Sequence, residues 1–172
     1  MKHKQVKITG WLYPASWLYG IGVNIRNELF ERKILRSKSF DIPVINIGNL
    51  AVGGTGKTPH IEYLVKLLKD KYSIATLSRG YKRKTKGYFV ADALSTASVI
   101  GDEPFQIKSK FPNITVAVDE QRVRGIENLM EREDPIIDVV LLDDAFQHRY
   151  VEPGLNILLT DYHRPFYEDM LL

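Results

Sequence analysis

The sequence predicts an α/β fold: a three-layer sandwich whose mainly parallel sheet has helices on both faces, preceded by an amphipathic helix. Three observations predict it. Short apolar runs recur at 44–50, 73–78, 114–118, 136–144 and 155–161, each of a length and composition suited to a buried strand. The segments between them carry apolar residues at helical spacing, as Ile61, Leu64, Val65, Leu67 and Leu68 do. A glycine-rich turn joins the first strand to the first of these helices. Strands alternating with helices in this way connect by right-handed crossovers into a parallel sheet.

Taken in order, residues 1–40 stand apart from residues 41–172, and two regions are expected. In the first, Leu18, Ile21, Ile25 and Leu29 form an apolar stripe, with Asn24, Arg26, Asn27, Glu28 and Lys33 off it. Trp11, Tyr13, Trp17 and Tyr19 crowd one stretch, flanked by Lys2, Lys4 and Lys7 and later by Arg32, Lys33 and Arg36. Aromatic and basic residues in that combination suit an anionic membrane surface, and the same stripe would equally suit a helix packed on the sheet. Beyond Pro43, the strand 44–50 leads through the turn to a helix over 57–70. Then come the strand 73–78, the basic loop 79–87 and a short strand at 88–91. A helix over 103–110, the strand 114–118 and a helix over 119–132 capped by Asp119 come next. The last two runs complete the sheet. The chain stops on apolar residues without a capping glycine, which suggests a piece of a longer protein.

Composition narrows the classes. At 172 residues with 44% hydrophobic and 26% charged residues, the chain is globular and can bury roughly two-thirds of its unfolded surface. A net charge of +3 and a sequence pI near 9.0 hint at anionic partners but do not argue for nucleic acid. The absence of cysteine excludes disulfides and thiolate metal sites. No run of about 18 apolar residues predicts a spanning helix, and the N-terminus has no convincing cleavage site.

The turn AVGGTGKT, comprising Ala51, Val52, Gly53, Gly54, Thr55, Gly56, Lys57 and Thr58, has the strand–turn–helix context of a phosphate loop. Its glycines let successive N–H groups point at phosphate oxygens, and the helix after it adds its positive N-terminal end. Lys57 would reach the β- and γ-phosphates and Thr58 would ligate Mg²⁺. Ala51 stands where the consensus has glycine, and a plain helix-capping turn is the alternative. The apolar strand ending in Asp143 and Asp144 supplies the carboxylates that such a loop needs beside it for Mg²⁺. One is expected on the metal and one orienting neighbours. A nucleoside triphosphate site is the reading.

NIGNLAVGGTGKTP, LSRGYKRK, GDEP and LLDDAFQHR, in this order over residues 10–172, resemble the tetraacyldisaccharide 4'-kinase family, the lipid A kinases of Gram-negative bacteria. Members are roughly double this length, so the chain looks like an N-terminal half, which alone would turn over poorly. The resemblance implies transfer of the γ-phosphate of ATP, with Mg²⁺, to the 4'-hydroxyl of a tetraacyldisaccharide 1-phosphate lipid. The implied location is the cytoplasmic face of the bacterial inner membrane, on a monomer. Asp102 matches the family's proposed general base, with Glu103 beside it in support, and Lys57 is implied to neutralise the charge on the γ-phosphate. On the residues alone, Asp102 could equally cap the helix begun near Pro104.

Gln147 and His148 come just after the acidic strand end and could contact nucleotide, metal-bound water or substrate. His148 could also make only a structural hydrogen bond. Arg79 and Arg83, in a loop with Lys82, Lys84 and Lys86, could meet a substrate phosphate or lipid headgroups, or form a solvated loop. Arg122 and Arg124 are weaker candidates. The competing function is a phosphate-loop ATPase or GTPase switch acting as an assembly factor. No Asn-Lys-x-Asp motif supports guanine, and the lack of Cys and the few His argue against metal delivery.

Overall fold

The structure, a computed structural model, describes residues 13–32, 34–49, 56–146 and 148–160. The chain divides into two compact units, with the break between Arg36 and Ser37. In the first, helix α1 runs Tyr13–Glu31, with Pro14 early in it, where a missing N–H is harmless. Its end is closed by the Leu29 carbonyl, which accepts from the amides of both Ile34 and Leu35. The expected apolar stripe is not matched by burial within the helix. Ile25 is 56% exposed, whereas Phe30, off the stripe, is buried. Lys33 lies outside the described residues, as do the side chains of residues 11–19.

The second unit holds six strands, β1 (Val44–Asn49), β2 (Ile74–Ser78), β3 (Phe89–Val90), β4 (Thr115–Val118), β5 (Val139–Asp143) and β6 (Leu155–Leu159). They form one sheet in the order β3-β4-β2-β5-β1-β6. All neighbours are parallel except β3, which runs antiparallel to β4. Helices α2 (Lys57–Leu68), α3 (Ala97–Ile100), α4 (Asp102–Lys110) and α5 (Arg122–Met130) connect them.

Alternation along the central strands builds a core on each face. Ile47, Ile74, Val116, Val118, Val139 and Leu141 pack with Ile61 and Val65 of α2, Ile100 of α3 and Ile107 of α4. Val44, Ala75, Leu77, Ala117, Val140 and Leu142 point the other way, toward Ile126 and Leu129 of α5. A central strand buried on both faces carries no polar alternation, which is why these strands read as continuous apolar runs.

Two boundaries differ from expectation for physical reasons. The run 136–144 pairs only from Val139, because Asp138 is drawn out to cap the turn before β2. Its carboxylate accepts from the Ser73 amide at 2.7 Å. The last helix begins at Arg122 with Gln121 as its N-cap, so Asp119 does not cap it. Asp119 instead accepts from the Gln121 amide at 2.8 Å and holds Arg124 through two hydrogen bonds, at 2.9 and 2.6 Å. Helix α3, too short for a periodic signal, is unexpected.

One buried polar side chain locks the sheet's working edge. Asn46, 2% exposed, accepts from the Ala145 amide at 3.3 Å and donates to Asn156 on β6 at 2.9 Å. It thus fastens the exit of β5 to β1. Asn46→Ala leaves that amide without its acceptor, at a cost of about 1–3 kcal/mol. Urea unfolding monitored by circular dichroism should show the midpoint falling with an unchanged slope.

Candidate active site

Ligands of parallel α/β sheets bind beyond the carboxyl ends of the strands. Here β1 and β5 are parallel neighbours with Ile47 opposite Asp143, so the end of β1 at Asn49 and the acidic end of β5 lie side by side at the same edge. The Asp144 amide donates to the Ile47 carbonyl at 2.9 Å, which carries the pairing one residue past the strand. Gly48 leaves room for an aromatic ring. A Cβ there would sit 2.6 Å from the Phe146 ring, so any larger residue would have to displace that ring.

Gly56, with φ 77°, is the N-cap of α2, a left-handed conformation that glycine adopts without penalty. Its carbonyl lies 2.8 Å from Nδ1 of His60; a carbonyl only accepts, so that nitrogen carries the proton. Lys57, the first residue of α2, reaches back across the end of β1. Its ammonium donates to Asn49 Oδ1 at 3.0 Å and stands 3.5 Å from Asp144 Oδ1. The cation is therefore held between the ends of β1 and β5, beside the acidic strand tip. Thr58, next in the helix, is half-buried. Residues 51–55, the body of the expected phosphate loop, lie outside the described residues, as does Gln147.

The adjacent acids divide. Asp143 is 3% exposed, and its Oδ1 has no hydrogen-bond partner among the described residues. Asp144 turns outward through a positive φ of 53°, which Asp tolerates better than most side chains, and faces Lys57. Burial first, then the negative charges of Glu103 and Asp144, push the Asp143 carboxyl up to about 7 against the pull of Lys57 and Arg122. A buried carboxylate oxygen without a described partner, next to a second carboxylate, offers oxygen donors of the kind a hard divalent cation takes.

Beneath Asp143 lies a cation that the sequence marked only weakly. Arg122 is 3% exposed; its guanidinium donates to the Asp119 carbonyl at 2.5 Å and, at 3.4 Å, to that of Asp143. Burial lowers its pKa to about 10, opposed by Asp143, so it stays charged at neutral pH. A signal was available: Arg122, Gly125, Ile126 and Leu129 form the buried face of α5, and arginine on an apolar stripe implies a buried partner.

Asp102 is the first residue of α4 and Gly101 its N-cap, so Asp102 is not the cap. It is exposed, and its carboxylate makes no hydrogen bond to a described residue. Glu103 beside it lies close enough to raise Asp143. Arg79 comes directly after the last residue of β2, is exposed, and repels Arg122. Arg83 does not fit the expected substrate role. Its side chain is 2% exposed and paired with Glu120 at 2.5 Å, and it also donates to the Gly87 carbonyl at 2.7 Å. The His148 amide donates to the Ala145 carbonyl and its carbonyl accepts from Val151, which holds a turn beside the β5 exit.

Residues 8–172 match the family described as tetraacyldisaccharide-1-P 4'-kinase. Tetraacyldisaccharide 4'-kinases are similar along the whole chain. That of Bacteroides thetaiotaomicron is 65% identical over 97% of this chain and 44% of its own length. One from Bacteroides fragilis is 63% identical over 100% of this chain and 46% of its own. The crystal structure of LpxK from Aquifex aeolicus in complex with ATP superposes with a TM-score of 0.76 at 39% identity, covering 86% of this chain and 47% of that one. The chain thus spans about half the length of the curated relatives it matches.

The buried acid carries a pH signature. A carboxyl whose folded pKa lies above its unfolded value, near 3.8, binds more protons when folded. Stability is then lost as pH rises from about 4 through about 7. In nucleotide-free protein, Asp143→Asn should therefore raise stability at pH 8, by at most roughly 4 kcal/mol. That gain should fade toward pH 4 in denaturation curves taken across the range.

Proposed function

The chain belongs to the tetraacyldisaccharide-1-P 4'-kinase family, and from that membership we propose that the whole protein transfers the γ-phosphoryl group of ATP to the 4'-hydroxyl of a tetraacyldisaccharide 1-phosphate lipid. The observation that carries this reading is the placement of Lys57 between Asn49 and Asp144, next to the buried free oxygen of Asp143. Phosphoryl transfer needs charge neutralisation and alignment more than covalent chemistry from the protein, and this edge of the sheet is built for neutralisation.

Each residue has a part in the proposal. Lys57 binds β- and γ-phosphate oxygens, together with the backbone of Ala51, Val52, Gly53, Gly54, Thr55 and Gly56. Thr58, Asp143 and Asp144 would hold a magnesium ion, which would supply charge neutralisation at the transferring group. Asp143 would be ionised for that role, and a neighbouring cation would favour its charged form. Arg122, fixed under the β5 exit, offsets the carboxylates from below. Asp102, exposed on the same edge, accepts the proton of the attacking hydroxyl, with Glu103 supporting it. Gln147 and His148 line the nucleotide side, and Arg79 is left as the loop cation for a substrate phosphate.

The substrate's chemistry also suggests where the protein works. Among the described residues no helix is long and apolar enough to cross a membrane. The aromatic and basic residues of the first 36 positions would bring the protein onto the cytoplasmic face of the inner membrane as a peripheral enzyme. Deleting residues 1–36 from the full-length protein should reduce sedimentation with anionic liposomes, and undiminished binding refutes this part.

For the reaction, full-length protein is incubated with [γ-³²P]ATP and the disaccharide lipid. Labelled lipid is expected. Lys57→Ala should lower kcat about 100-fold or more, and Asp102→Asn about 100- to 10,000-fold with ATP binding retained. ATP hydrolysis without labelled lipid would point to a nucleotide switch instead.

A further inference from the structure

The loop 79–87 carries Arg79, Lys82, Arg83, Lys84 and Lys86 and no acid, yet it is not a loose solvated segment. Its alternate residues face opposite ways: Lys82, Lys84 and Lys86 are exposed while Arg83, Thr85 and Gly87 turn inward. The Glu120 carboxylate grips the loop twice. One oxygen pairs with the Arg83 guanidinium at 2.5 Å, and the other accepts from the Gly87 amide at 2.9 Å. Arg83 closes the ring by donating to the Gly87 carbonyl. On the other side the loop is tied to α3. The Lys84 amide donates to the Ser98 carbonyl at 2.8 Å and Thr85 Oγ1 to that of Val99 at 2.5 Å.

Those ties converge on one backbone contact. A Cβ on Gly80 would stand 2.8 Å from the Ile100 carbonyl oxygen, and one on Gly101 would stand 3.0 Å from the Tyr81 carbonyl and 3.1 Å from Gly80. The two segments therefore touch main chain to main chain, and the Arg83 side chain packs on the same glycine, its Cδ 2.5 Å from where a Gly80 Cβ would stand. Gly80 and Gly101 both hold positive φ, 69° and 95°, so the contact is shaped by residues that tolerate no Cβ. Gly101 is the N-cap of α4, and the next residue is Asp102.

We propose that Arg83 and Glu120 are positioning residues for the acceptor side of the site: their ion pair holds Gly80 against Gly101 and so fixes where Asp102 stands. The proposal rests on the reading of Asp102 as proton acceptor. It accounts for a buried guanidinium in a basic surface loop, which leaving the loop free in solvent would not require. None of these hydrogen bonds of the loop reaches Lys57 or Thr58, the described residues at the head of α2.

The test is a double-mutant cycle in the full-length protein, with Glu120→Gln made alone and in an Asp102→Asn background. Glu120 is 38% exposed, so glutamine is sterically tolerated, and Thr85→Val loosens the same loop by an independent, near-isosteric change. Each single variant should lower kcat, Glu120→Gln by roughly tenfold, since displacements under an ångström already weaken a positioned group. The KM for ATP should stay within about twofold, because uniform binding is untouched. In the Asp102→Asn background neither should lower the residual rate further, because the group they position is gone. The same fold-loss in both backgrounds would mean a general structural role and overturn the proposal, as would full activity in both single variants. Full activity of Asp102→Asn itself would instead remove the underlying assignment, and this one with it.

Discussion

Parallel pairing of β1 with β5, with Ile47 opposite Asp143, is the constraint that sets the working edge of this protein. Parallel strands end on the same side, so a cation at the start of α2 and an acid at the end of β5 meet without any long side chain having to search for its partner. The register is held past the last strand residue by the Asp144 amide on Ile47 and by Asn46 on the Ala145 amide. Moving β5 by one residue would exchange the buried Asp143 for its exposed neighbour. It would also turn the acid with the unpartnered oxygen away from Lys57.

That placement is electrostatically unfavourable in the empty protein, and the unfavourable part is the useful one. Asp143 loses hydration and sits near Glu103 and Asp144, which together outweigh Lys57 and Arg122. Arg122 in turn loses hydration faster than Asp143 repays it. A site with its charges fully paired would have nothing to gain from a cation. Here a buried carboxylate oxygen has no described partner, and the arriving positive charge supplies the interaction that the fold withholds.

The strands and the start of α2 were legible because they depend on local pattern: apolar runs for central strands buried on both faces, and a glycine before a Lys-Thr pair. Asp143, Asp144, Lys57 and Thr58 could be named for that reason. What stayed hidden depends on contacts distant in the chain. Asn46 and Asn49 sit inside an apolar strand and look like interruptions until β5 and α2 are in place to use them. Arg83 looks like one more cation of a basic run, and only Glu120, far along the chain, turns it inward. Asp119 has the composition of a cap, but a partner in the next turn, Arg124, takes its carboxylate. The N-terminal helix was legible as a helix, while its stripe was not a guide to burial, since Ile25 is exposed and Phe30 is not.

The two halves of the proposed reacting centre are anchored by different means, and the difference has a physical rationale. Lys57 and Asp143 belong to a helix start and a strand end seated in the sheet, where apolar packing on both faces fixes position with little residual freedom. Asp102 stands outside the sheet, at the head of a nine-residue helix reached through a four-residue one, and both short helices are tied to the core through Ile100 and Ile107. In the proposal the loop clasped by Arg83 and Glu120 refines that placement. A charged clasp is geometrically strict, because a guanidinium and a carboxylate lose most of their attraction once either turns away. In the proposal that strictness is added at the head of α4, where Asp102 itself is exposed and packing alone leaves its carboxylate free to turn.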